Sequence, residues 1–243
     1  MNTLSLDPSH LEYRGSGVVA LTGEWPRMTV VTCKIDRSGT PTPEGLVQAI
    51  LPLFKEHGAR CLVLASPASW KGMECEHQGS RCCDRLLNKP TKAGYPGAVV
   101  PRSSTRAAEF SIAVAQELIK RGFRPYEGVI EEDQSILLES FPLAAWKALG
   151  IRPLPSRENG GLLQIPSRMR QLRELMDIAL PASLTHDQAQ ALVCGLAGAQ
   201  LGATDISLVG APPAEVDGTP REGFIALPVP PGGTAKRLAC AGA

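Results

Sequence analysis

The feature that most constrains this chain is its opening order: three β-branched or apolar runs in quick succession, then an amphipathic stretch, then a fourth apolar run. "LSLD" (4–7), "GSGVVALTG" (15–23) and "MTVVTCKID" (28–36) are separated by turn-rich residues. Links this short join antiparallel neighbours, so the three read as a meander. In "TPEGLVQAILPLFKEHG", Leu46, Val47, Ile50, Leu53 and Phe54 recur at helical spacing. Pro43 suits the first turn and Gly58 the stop. Pro52 is expected to kink or interrupt this helix. "RCLVLASP" (60–67) is a short unbroken apolar run, the signature of a strand covered on both faces, and a strand that follows a helix pairs in parallel.

Further along, "STRAAEFSIAVAQELIKRGF" reads as an amphipathic helix stopped by Gly122, "SILLESFP" as a buried strand and "PLAAWKALG" as a helix with Pro at its first turn. "PSRMRQLRELMDIAL" and "THDQAQALVCGLAGAQLG" give two more helices, the second capped by Thr185. "REGFIALP" gives a last short strand. The segment from about residue 68 to 105 has no periodicity and reads as a functional rim loop. The Pro/Gly-rich tail, 229–243, is expected to be disordered. A length of 243 residues suits one α/β domain, here residues 1–228.

A net charge of +1 excludes a molecule-wide field steering the chain to nucleic acid or membrane. The longest weakly polar run, "ALVCGLAGAQLGA", is too short and glycine-rich to span a bilayer, so a cytoplasmic protein without a membrane partner is the expectation. Seven scattered cysteines, two of them adjacent, fit reduced thiols better than a disulfide framework. Oligomeric state leaves no trace.

A sheet that begins as a meander and continues in parallel βα units has the order of the ribonuclease-H-like fold. "LSLDPSHLEYRGSGVVAL", "LVLASPASW", "RCCDRLL", "LLESFPLAAWKALG", "DQAQALVCGLAGA" and "EGFIALP" resemble, in that order, successive blocks of the predicted RNase H-like nucleases grouped as domain-of-unknown-function family 429. The resemblance runs from about residue 4 to 228. It implies a metal-dependent hydrolase of phosphodiester bonds in nucleic acid, RNA or DNA, using Mg²⁺ or Mn²⁺. Carried over by position, the catalytic and metal-binding carboxylates are Asp7, Glu139 and Asp187. Several carboxylates suit this chemistry because hard cations take oxygen ligands, and paired ions about 3.5–4 Å apart stabilise both the attacking and the leaving oxygen.

Two positions depart from the family pattern. Ala65 stands where the strand "LVLASP" would carry an Asp, and Gln190 where the helix would carry a second one. They support the other reading, a decayed fold that binds nucleic acid, a nucleotide or a protein without turnover. Asp187, one turn before Gln190, reads equally as a ligand and as an early-helix carboxylate favoured by the dipole. Asp7 before Pro8 also reads as a turn residue, and His10 as a proton shuttle or a loop histidine. Arg168, Arg170 and Arg173 suggest a phosphate-contacting patch on one helix. The Cys75, His77, Cys82 and Cys83 cluster has soft ligands but no familiar zinc spacing. Trp70 and Trp146 read as core.

Overall fold

The structure is a computed structural model, and it describes residues 1–72, 80–87, 102–216 and 218–239, without the side chains of 102–105. The meander is present: β1 (Thr3–Asp7), β2 (Gly17–Glu24) and β3 (Arg27–Cys33) pair antiparallel in sequence order. Helix α1 (Pro43–Glu56) follows, with the Thr42 hydroxyl accepting from the Gly45 N–H at 3.0 Å. It runs unbroken through Pro52, which lies on the solvent face, so the expected break does not occur. Strand β4 (Cys61–Leu64) then pairs in parallel with β1, on the side away from β2.

The rim segment contains a short helix, α2 (Cys82–Leu86), and leads into α3 (Arg102–Lys120). Strand β5 (Phe123–Pro125) and β6 (Ser135–Glu139) are parallel, and β6 joins β4 in parallel. Three helices come next: α4 (Pro142–Ala148), α5 (Gly161–Leu175) and, after the two-residue strand β7 (Ile178–Ala179), α6 (His186–Gln200). A hairpin of β8 (Ser207–Val216) and β9 (Thr219–Leu227) and the short β10 (Arg237–Leu238) complete the described chain. One sheet results, in the order β10-β8-β9-β6-β4-β1-β2-β3-β7, with β5 beside β6. This is the mixed α/β sheet flanked by helices of the ribonuclease-H-like order: an antiparallel meander continued by parallel βα units.

Alternation along the strands divides the core in two. Val18, Ala20, Leu62 and Leu64 face the side that carries α1 and α3, while Val19, Leu21, Cys61 and Val63 face the side that carries α4, α5 and α6. Helix α6 lies close on the sheet because it has no side chain where the two meet. A Cβ on Gly195 would stand 2.6 Å from Leu21 Cδ1, and one on Gly198 2.6 Å from Val63 Cγ2. The Ser5 hydroxyl donates to the Ala191 carbonyl at 2.6 Å across that contact.

One strand joins those read from the sequence, and two expectations are corrected. The stretch "SLVGAPPAEV" is a ten-residue strand, β8, despite its prolines: Pro212 and Pro213 fall where the ladder to β9 shifts register, between Ala211 and Ala214. An irregularity of that kind spares the ladder the N–H groups proline lacks. The tail is tied down through residue 239. Gln200 donates from Nε2 to the Val229 carbonyl at 2.6 Å and accepts from the Val229 N–H at 2.9 Å, and β10 pairs in parallel with β8. Finally, Cys82 is disulfide-bonded, whereas Cys33, Cys61, Cys83 and Cys194 are free and buried. Cys75 and His77 lie outside the described residues, as does most of the rim segment. Among the described residues no helix is long and apolar enough to cross a membrane.

Candidate functional site

The C-terminal ends of the parallel strands β1, β4 and β6 lie side by side, which is where sheets of this kind hold ligands. Asp7 closes β1, Ala65 follows β4 and Glu139 closes β6. Asp7 is registered opposite Gly17 at the start of β2. Gly17 abuts the first turn of α6 so tightly that a Cβ there would sit 2.2 Å from the Asp187 carbonyl oxygen. The missing side chain is what brings the Asp187 end of α6 up to the Asp7 end of β1.

These two carboxylates line one cavity of about 270 Å³, together with His10, Leu11, Glu12 and Arg157. Asp187 belongs to the first turn of α6, which starts with a reciprocal cap: Thr185 Oγ1 accepts from the Gln188 N–H at 3.2 Å, and Gln188 Oε1 accepts from the Thr185 N–H at 3.0 Å. Asp187 Oδ2 is ion-paired with Arg157. Its Oδ1 lies 3.3 Å from His186 Nδ1, and the other ring nitrogen of His186 lies 2.9 Å from the Pro155 carbonyl. Asp187 therefore sits at a helix N-terminus and also lines the Asp7 cavity.

Glu139 is placed differently. It is buried, and its carboxylate is gripped from both oxygens by Arg81, at 2.6 and 2.7 Å, with the Ala68 N–H donating to Oε2 at 2.8 Å. Burial pushes its carboxyl up from the usual range, with the Arg81 charge pulling against it. Glu139 lines a separate small cavity of about 60 Å³ with Ala65, Arg81, Asp84 and Ser140. The buried thiol of Cys194 on α6 feels both regions: burial raises its pKa well above the ordinary value, and the charges of Asp7 and Glu139 raise it further. The three expected carboxylates thus share an edge of the sheet, but only Asp7 and Asp187 open into the same cavity.

Gln190, at the position where the family pattern has an Asp, accepts at Oε1 from the indole N–H of Trp146 at 2.9 Å. Trp146 is fully buried, as expected for a core residue, and Gln190 is the partner its N–H requires. The arginine patch separates into two faces. Arg170 and Arg173 are exposed, but Arg168 is buried, with Nη2 donating to Gln164 Oε1 at 2.7 Å. Two residues along a helix turn the side chain about 200°, so Arg168 and Arg170 cannot share a face.

Sequence reasoning missed Arg81 and Asp84 as parts of the strand edge. Both stood in the "RCCDRLL" block, and Arg81 read there only as a rim-loop basic residue adding to the phosphate patch, a role its complete burial does not allow. A metal with three or more ligands from His, Cys, Asp or Glu finds no such group among the described residues. Asp7 and Asp187 line one cavity, and although Asp187 is held by Arg157 and His186, Arg157 is half-exposed and can give way, so the pair is a donor set that suits one hard divalent cation completed by water and substrate oxygens. At Glu139 the residues do not fit a metal, because both oxygens already hold a guanidinium.

The architecture defines an α/β protein of ribonuclease-H-like sheet order with an acidic cavity at the end of its first strand. No family model and no curated protein matches this sequence. Among solved structures, the chain is similar to Thermus thermophilus RuvC in complex with a Holliday junction substrate, at 10% identity over 82% of this chain and 94% of that one, with a TM-score of 0.39. It is also similar to a Thermus thermophilus RuvC structure at 13% identity, over 84% of this chain and 98% of that one, with a TM-score of 0.41.

Proposed function

We propose that the chain is a metal-dependent nuclease of RNase H-like type whose working site is the Asp7–Asp187 cavity. The observation that carries this reading is that Asp7 and Asp187 line one cavity at the end of β1. Asp7 and Asp187 would hold one Mg²⁺ or Mn²⁺, and such an ion supplies Lewis-acid stabilisation of charge on a phosphoryl oxygen. Arg157, half-exposed at the same cavity, is placed to meet a phosphate of the substrate backbone while it orients Asp187. His10 lines the cavity beside Asp7 and is the side chain there able both to donate and to accept a proton. Exposed Arg170 and Arg173 add positive charge for a nucleic-acid backbone. Glu139 stands outside this site.

The test is cleavage of RNA, duplex DNA, an RNA–DNA hybrid and a four-way DNA junction with manganese present. The expected result is cleavage of at least one substrate by the native chain and its loss in Asp7→Asn. Equal degradation by both proteins sinks the assignment.

A second reading, a fold that binds nucleic acid, a nucleotide or a protein partner without turnover, is favoured by one specific observation. Both departures from the family pattern serve structure here: Gln190 satisfies Trp146, and Ala65 lies beside the Arg81–Glu139 pair. Binding of the same nucleic acids with no cleavage, and with no manganese uptake by the native chain, selects it.

A further inference from the structure

Arg81 is wholly buried, a costly place for a charge unless every donor is met. Each of its five N–H groups is met. Nε donates to Asp84 Oδ2 at 3.0 Å; Nη2 donates to Asp84 Oδ1 at 3.1 Å and Glu139 Oε1 at 2.6 Å; Nη1 donates to Glu139 Oε2 at 2.7 Å and Ser69 Oγ at 3.0 Å. The two carboxylates are therefore held on adjoining edges of one planar cation. Ser69 is fixed in turn by donating to the Glu222 carbonyl. The Glu222 carboxylate accepts from the N–H groups of Gly72 at 2.8 Å and Cys82 at 3.0 Å, so it pins both loop segments that carry Arg81 and Ser69 over the sheet.

Ala65 completes the picture. It is buried beside β1, its N–H donating to the Leu6 carbonyl at 2.9 Å, and it lines the same small cavity as Arg81, Asp84 and Glu139. A carboxylate at that position would set three anions against one guanidinium in a dry site. The alanine and the buried arginine are parts of one charge balance.

We propose that Arg81 is the resident cation of this strand edge: its guanidinium fills, between Glu139 and Asp84, the place a divalent ion would need, so the native chain takes no metal there. It follows that removing the guanidinium leaves two carboxylates and the Ser69 hydroxyl around its former volume, an all-oxygen set of the kind Mn²⁺ and Mg²⁺ accept. Arg81 is in this sense a positioning residue: it holds Glu139 and Asp84 and leaves the Asp7–Asp187 cavity as the only part of the edge, among the described residues, open to an ion.

Manganese uptake by the full chain, read from the loss of the free Mn²⁺ resonance, tests this without reference to activity. Arg81→Gln, checked for folding by circular dichroism, is expected to bind one Mn²⁺ per chain more than the native protein, and Arg81→Gln with Glu139→Gln is expected to lose that ion. A folded Arg81→Gln with native uptake overturns the proposal. Should Arg81→Gln not fold, Glu139→Gln alone carries the test. Unchanged native uptake supports the proposal, and reduced uptake overturns it because Glu139 would then be a ligand in the native chain. A loss of uptake confined to Asp7→Asn or Asp187→Asn bears on the nuclease reading alone, so the two proposals fail separately.

Discussion

Two acidic regions lie along one edge of this sheet, and they handle charge in opposite ways. At the end of β1, Asp7 and Asp187 line a cavity of about 270 Å³, and Arg157, the arginine paired with Asp187, has a side chain 51% exposed. At the end of β6, Glu139 and Asp84 enclose an arginine with no exposure at all. An exposed ion pair exchanges partners with water and ligands at little cost. A buried pair with every donor met does not, because breaking it strands a charge in a dry interior. The difference separates a region able to receive a ligand from one that has internalised its own.

The largest effect should come from breaking the closed region. Arg81→Met leaves Glu139 and Asp84 unpaired, and urea unfolding should show a loss of roughly 3–5 kcal/mol, the range for removing one partner of a buried ion pair. A loss below about 1 kcal/mol would mean that the cluster is open to water, as the Asp7–Asp187 cavity is. Next comes Gly17→Ala, whose Cβ would overlap the Asp187 backbone. Overpacking of this kind costs about 1–3 kcal/mol, and because the strain falls between β2 and α6, cleavage activity should drop along with stability.

Smaller still in stability, Asp187→Asn loses a pair whose arginine is half-exposed, so its unfolding free energy should stay within about 1 kcal/mol of the native value. Its manganese uptake should fall nonetheless, and a stability loss as large as that of Arg81→Met would show that the open cavity is structural. The smallest signal is chemical. Burial raises the thiol pKa of Cys83 well above its ordinary value and pushes that of Cys61 up to about 12. The thiolate is the reactive form, and both cysteines remain thiols at pH 8. Peptide mapping after iodoacetamide treatment of the folded protein at pH 8 should find both unlabelled. Labelling of Cys83 alone would show that the closed region opens in solution.

Much of the sheet was legible because its strands announce themselves locally. The runs "GVVAL", "TVVTC" and "CLVL" are β-branched and apolar; the first and last are covered on both faces and need no finer pattern, while "TVVTC" alternates exposed and buried positions. Strand β8 was not legible, because Gly210, Pro212 and Pro213 interrupt its apolar run and only the shifted pairing with β9 makes room for them. The site divides in the same way. Asp7 and Glu139 ended apolar runs, and Asp187 followed a helix cap, so each was visible as a residue. The fate of Glu139 was not, because Arg81 meets it from 58 positions away. The arginine patch failed on a local point, the direction in which a helix turns between Arg168 and Arg170.

The grip of Gln200 on Val229 has a consequence of its own. With an amide nitrogen given to the carbonyl and an amide oxygen taken by the N–H of one residue, the side chain behaves as a single peptide unit of sheet, standing at the end of α6. It splices the outgoing chain onto the helix that carries Asp187 at its other end. A boundary drawn after Pro228 would cut that splice and leave a buried amide with neither partner. The unit that must be kept whole to study either acidic region therefore extends past the last long strand.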